Sequence, residues 1–111
     1  MIDWDRVEEL RSELGAEGFR EVTELFLEEV EGLLDRCPNR PERREDDFHF
    51  LKGSAWNIGF AALADICQEG ERQAARGAPM AVDLGDVRRI WAESRAAFLT
   101  GLGPDWITAA A

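Results

Sequence analysis

Apolar residues recur at helical spacing through almost the whole chain. Trp4, Val7, Leu10 and Leu14 fall three or four apart and Gly15 ends the run, which predicts a short N-terminal helix. Phe19, Val22, Phe26, Val30 and Leu33 continue the rule, and Leu25, Leu27 and Leu34 widen the stripe, so a second and well-buried helix is expected. Cys37-Pro38-Asn39-Arg40-Pro41 stops it as a turn. Pro41 suits the first position of a third helix, where its missing N–H costs nothing. Glu42, Glu45, Asp46 and Asp47 then lie near the positive end of that helix dipole, and Phe48, Leu51, Ala55 and Ile58 form its inward stripe.

A fourth helix follows Gly59, with Leu63, Ile66, Cys67, Gly70 and Ala74 facing inward, and closes at Arg76-Gly77-Ala78-Pro79. The last begins near Asp83 to Asp86 and presents Val87, Ile90, Trp91, Ser94 and Phe98, with Gly101 and Gly103-Pro104 as its terminators. No strand alternation or internal repeat interrupts the pattern. Short connections between helices of this length favour antiparallel neighbours. The expectation is all-α: an antiparallel up-and-down four-helix bundle with a short additional N-terminal helix. A chain of 111 residues holds one domain, residues 1–111, with its core over about 17–102 and a short tail at 103–111.

Charge narrows the partners. The net charge is −10, and residues 1–48 carry 16 acids against 7 bases. Nucleic-acid binding needs a basic footprint, so nucleic acid is excluded as the partner. The excess charge reads instead as a solvated face, and favours a monomer. No stretch approaches the ~18–20 apolar residues of a membrane span. The opening Met1-Ile2-Asp3-Trp4-Asp5 lacks the basic-then-apolar order of a secretory signal, so a cytoplasmic protein is expected. Cys37 and Cys67 lack metal or redox spacing and read as buried free thiols.

Against this background two residues stand out. His49 is the only histidine and Lys52 the only lysine, every other base being arginine. Residues three and four apart share a helix face, so His49, Lys52 and Gly53 form one patch, with Glu45 and Asp46 a turn before and Trp56 two turns after. The inward stripe leaves His49 pointing to solvent. A solvated imidazole is largely uncharged near neutral pH and nucleophilic. Lys52 adds a point charge on a flexible stem. Gly53 costs about 1 kcal/mol in a helix interior relative to alanine, which makes sense if a partner must approach the ring. Ser54 and Asn57 lie on the adjoining flank. The pattern suggests phosphate handled on an exposed imidazole.

Catalytic and metal readings fail on numbers. Asp46-x-x-His49 has the carboxylate-to-histidine spacing of helical di-iron sites, but these need two such motifs. A zinc site would require Cys37 and Cys67 to converge on His49 from a loop and an inward stripe. A nucleophile triad would draft the same histidine.

The stretch His49-Phe50-Leu51-Lys52-Gly53-Ser54-Ala55-Trp56-Asn57-Ile58-Gly59 resembles the signature of histidine-containing phosphotransfer (HPt) domains, approximately H-x-L-K-G-S-[SA]-x-x-[LI]-G. Leu63 to Glu71 is similar to the family's next helix. This resemblance implies a phosphocarrier in a multistep two-component relay, not an enzyme. His49 would take a phosphoryl group, at Nε2, from an aspartyl phosphate on a receiver domain of a response regulator or hybrid histidine kinase, and pass it to an aspartate on another. It further implies no cofactor on this chain, since Mg²⁺ and the acidic pocket belong to the receiver. Lys52 would orient the phosphate and Gly53 leave room for the receiver. Gln68 would hydrogen-bond imidazole or phosphate, with Glu71 one turn on as its rival. Phe50 and Trp56 are large for the family's positions; they either form an apolar contact surface for the receiver or extend the core. The competing reading is an adaptor of the same fold that binds a receiver or kinase without carrying phosphate.

Overall fold

The computed structural model describes residues 1–103, which hold four α-helices and no strand. These are α1 (Trp4–Arg36), α2 (Arg44–Ile58), α3 (Ala61–Ala75) and α4 (Leu84–Leu102). Short 3₁₀ turns at Cys37–Asn39, Pro41–Arg43 and Pro79–Ala81 occupy the longer connections, and each has proline at its start. None of the described helices is long and apolar enough to cross a membrane. The part of the expected tail from residue 104 onward, with Pro104, lies outside the described residues.

The two N-terminal helices expected as separate elements share one span, α1. The backbone nonetheless leaves helical geometry at Gly15 (φ 76°, ψ 170°), a conformation that glycine adopts without steric cost. Asp3 caps the first turn, its carboxylate accepting from the Arg6 N–H at 3.2 Å. Arg6 then reaches the end of α2: its Nε donates to the Asn57 carbonyl at 2.8 Å and its second nitrogen to Asn57 Oδ1 at 3.0 Å. Val7 and Leu10, ahead of the 17–102 span expected for the core, are buried.

Pro41 begins a 3₁₀ turn, not α2, which starts at Arg44. The reason is visible in the side chains around it. Arg40 clamps Asp47 through two bonds of 2.8 and 3.2 Å, and buried Arg44 donates to the Pro79 carbonyl at 2.8 Å. These charge-assisted contacts tie the α1–α2 connection to the α3–α4 connection. Asp47 therefore serves in a near-buried ion pair as well as near the helix dipole.

An aromatic cluster fills the centre. Phe60 packs against Phe26 (4.9 Å between ring centroids), Phe98 (5.0 Å) and Trp91 (5.7 Å). The indole N–H of Trp91 donates to Glu31 Oε1 at 2.7 Å, so the buried ring leaves no polar atom orphaned. Cys37 and Cys67 are buried free thiols. Burial pushes the Cys67 thiol up to about 12, so it stays protonated and inert.

Several apolar positions depart from the expected stripes. Leu14 and Leu25 are exposed, Ile66 and Ile90 are half-buried, and Gly101 lies inside α4 instead of ending it. The glycine is there for space: the Trp4 ring lies on it and stacks on Phe98 at 6.0 Å and 11°.

Gly59 ends α2 in the left-handed region (φ 97°), and a Cβ there would sit 2.8 Å from the Asp3 carbonyl oxygen. Its own carbonyl accepts from the Asp3 N–H at 2.7 Å. Gly59→Ala should therefore lower stability by about 1–3 kcal/mol, read from urea denaturation. An unchanged midpoint would show that this junction tolerates a side chain.

Candidate functional site

The site is built on α2, where the inward stripe expected from sequence is fully realised: Phe48, Leu51, Ala55 and Ile58 are all buried. That fixes the rotation of the helix and turns His49 outward, its side chain 71% exposed. Phe48 lies against Gly70 of α3 so closely that a Cβ at residue 70 would meet its ring at 3.1–3.3 Å. The glycine lets the two helices approach, and the residue beside each partner then comes within reach of the other. His49 Nδ1 lies 2.8 Å from Glu71 Oε2. Lys52 Nζ lies 2.7 Å from Glu71 Oε1. One carboxylate thus holds both the lone histidine and the lone lysine.

Sequence named Gln68 first and Glu71 as its rival; the hydrogen bond to the ring is made by Glu71. Gln68 sits one turn earlier on α3 and is exposed. A carboxylate near an ammonium gains Coulombic attraction that a neutral amide does not, so Glu71 is the stronger partner for this pair. The Lys52 ammonium above all holds the Glu71 carboxyl below the usual carboxylate range, against the opposing effect of burial and with a lesser contribution from the His49 ring.

The chemistry of the ring follows. A carboxylate only accepts, so Nδ1 of the neutral imidazole carries the proton and Nε2 keeps its lone pair. With Nδ1 turned to α3, Nε2 is the nucleophilic atom. Gly53 is exposed, and a Cβ there would meet nothing within 4 Å. No internal packing demands glycine at that position. Phe50 and Trp56 are 48% and 49% exposed, so neither belongs to the core. Asn57 is held by Arg6, and the hydroxyl of half-buried Ser54 makes no hydrogen bond among the described residues. No three His, Cys, Asp or Glu side chains converge as a metal site would require, among the described residues.

The structure thus brings His49, Lys52 and Gly53 to one open patch, as their spacing required, and adds Glu71 from α3. A family model described as Hpt domain matches residues 21–97, well over half of the chain and all of this patch. Comparison with curated proteins gives no match, and comparison with solved structures gives none either.

The depressed Glu71 carboxyl carries a pH signature. Its stabilising contribution is full above the ordinary carboxylate range and is lost as pH falls through the lowered folded value. Wild type should lose stability on acidification more steeply than Glu71→Gln, measured as urea midpoints across the carboxylate range. Parallel curves would show that the Glu71 pairing adds nothing to the folded state.

Proposed function

Because the chain belongs to the Hpt domain family, whose members are phosphocarriers in phosphorelays and not kinases, we propose that His49 relays a phosphoryl group between receiver-domain aspartates. The observation that carries this reading is the anchored ring: Nδ1 held by Glu71 at 2.8 Å on a side chain that is otherwise open. In the transfer the Nε2 lone pair attacks phosphorus of an aspartyl phosphate. The N–P bond forms as the P–O bond to the aspartate breaks, and the carboxylate leaves with the bonding electrons. The ring then bears a proton on Nδ1 and a phosphoryl group on Nε2, and is formally an imidazolium. Glu71 lies beside that developing positive charge, placed before the reaction begins.

Lys52 takes the other side of the balance. Its ammonium has three donors and spends one direction on Glu71, so it remains able to meet a phosphoryl oxygen. We assign Gly53 to clearance for the docked receiver, Phe50 and Trp56 to apolar contact with it, and Gln68 to the phosphoryl side of the site. The Mg²⁺ that such transfers use is assigned to the receiver, with its acidic pocket. We also read the chain as a single domain whose helices form an antiparallel up-and-down bundle, supported by the tight Gly59-Phe60 junction between α2 and α3.

Incubation with a phosphorylated receiver domain tests the function. An acid-labile, base-stable label is expected on wild type and absent from His49→Gln; a receiver that binds but leaves no label would establish the adaptor reading instead. Lys52→Arg should fold normally and transfer more slowly, because the guanidinium fork does not place its charge where the ammonium does. A charge-assisted hydrogen bond is worth about 1.5–3 kcal/mol, so the loss should be roughly tenfold to a hundredfold in rate. Unchanged kinetics would remove Lys52 from the mechanism.

A further inference from the structure

We propose that the docking surface runs from His49 across the groove between α2 and α1, and that it selects a receiver whose apolar docking helix is bordered by Lys and Arg. The inference rests on His49 being the phosphoacceptor. Its starting point is Leu25 of α1, 55% exposed although it lies among leucines and phenylalanines that are buried. A shallow groove of about 120 Å³ lies at its foot, walled by Val22, Leu25 and Glu29 from α1 and by Ser54 and Asn57 from α2.

Helical register joins this groove to the site. Phe50, Ser54 and Asn57 are four and three apart, so they share a face of α2. His49, Gly53 and Trp56 follow the same rule on the adjoining face. The surface therefore passes from Leu25 over the groove to Phe50, then to the open ring, and ends at Glu71 on α3. Two large apolar side chains, Leu25 and Phe50, stand on the two helices that border one depression. An apolar helix laid along it would bury both.

Charge specifies which helix. Glu21, Glu28 and Glu29 lie four before, three after and four after Leu25, so all three ring it on its own face. All are exposed, and among the described residues none forms an ion pair. Lys52, the cation that shares Glu71 with the ring, is already paired. An incoming surface on the α1 side thus meets uncompensated negative charge. An acidic rim on the partner would be repelled, whereas lysines and arginines flanking its apolar ridge would speed encounter and fix its orientation.

The test uses one phosphorylated receiver domain with a Lys/Arg-bordered docking helix and the same receiver with those residues changed to glutamate. Transfer rates are referred to labelling of each variant by phosphoramidate, a small donor that needs no docked surface. The basic receiver should transfer to wild type faster, by about tenfold at low ionic strength, with the gap closing as salt is added. Glu21→Lys, Glu28→Lys and Glu29→Lys combined should reverse the preference, and Leu25→Ala should slow both receivers by about tenfold. A preference that survives the triple reversal, or a Leu25→Ala rate equal to wild type, would overturn the proposal. If no receiver labels His49, the phosphotransfer reading falls separately. The docking surface is then judged by calorimetric binding of the two unphosphorylated receivers, where equal affinities would reject it.

Discussion

The close seating of Phe48 on Gly70 is the constraint on which the site depends. Two helices approach to the distance their smallest contacting side chains allow, and here one of those side chains is a hydrogen atom. Phe48 is wholly buried, so it cannot yield to a larger neighbour at residue 70 without disturbing Leu51 and Ala55 on the same stripe. Because His49 follows Phe48 and Glu71 follows Gly70, the separation set by the buried pair is handed directly to the exposed pair. The imidazole and the carboxylate meet at hydrogen-bond distance as a by-product of core packing. A reactive group on the surface thereby acquires the positional order of the interior.

How much of this was legible in the sequence depended on whether the information was local. His49, Lys52 and Gly53 could be found because rare residue types at three- and four-residue spacing share a helix face regardless of what the helix packs on. The stripe of Phe48, Leu51, Ala55 and Ile58 was readable for the same reason. Glu71 was harder. Seeing that Glu71 and not Gln68 bonds the ring requires knowing where α3 crosses α2, and the hint in the sequence is the coincidence of Phe48-His49 with Gly70-Glu71, a large residue and a small one each followed by a member of the polar pair. Gly101 was misread because its reason lies at the far end of the chain, under the Trp4 ring. Leu25 was misread because α1 carries apolar residues over more of its circumference than one neighbour can cover, and periodicity does not say which of them stays outside. Pro41 suggests a helix start one turn too early, since the anchoring of Arg44, where α2 begins, depends on a loop more than thirty residues away.

The division of labour at the site is chemically economical. On the proposed reading the chain contributes a nucleophile, a carboxylate that fixes its tautomer, and one cation on a flexible stem. An exposed imidazole of this kind has little power of its own, and a donor must arrive already activated. That weakness would keep a phosphoryl group carried on His49 transferable: a site that bound it tightly would surrender it slowly. The proposed acidic docking rim suits the same scheme, since a carrier that must release each partner gains more from fast, screened encounter than from a large sticky interface.

The end of α2 has a second consequence. The last turn of α2 is held from outside, by Arg6 on Asn57 and by Asp3 on Gly59, and Trp4 covers Phe98 from the same side. These residues precede the stretch by which the family is recognised, which starts at residue 21. The unit that is inherited as a pattern and the unit that coheres as a solid are therefore not the same length. The leading segment closes one end of the helices by contacts the family pattern does not contain, while Arg40 and Arg44 tie the connections at the other.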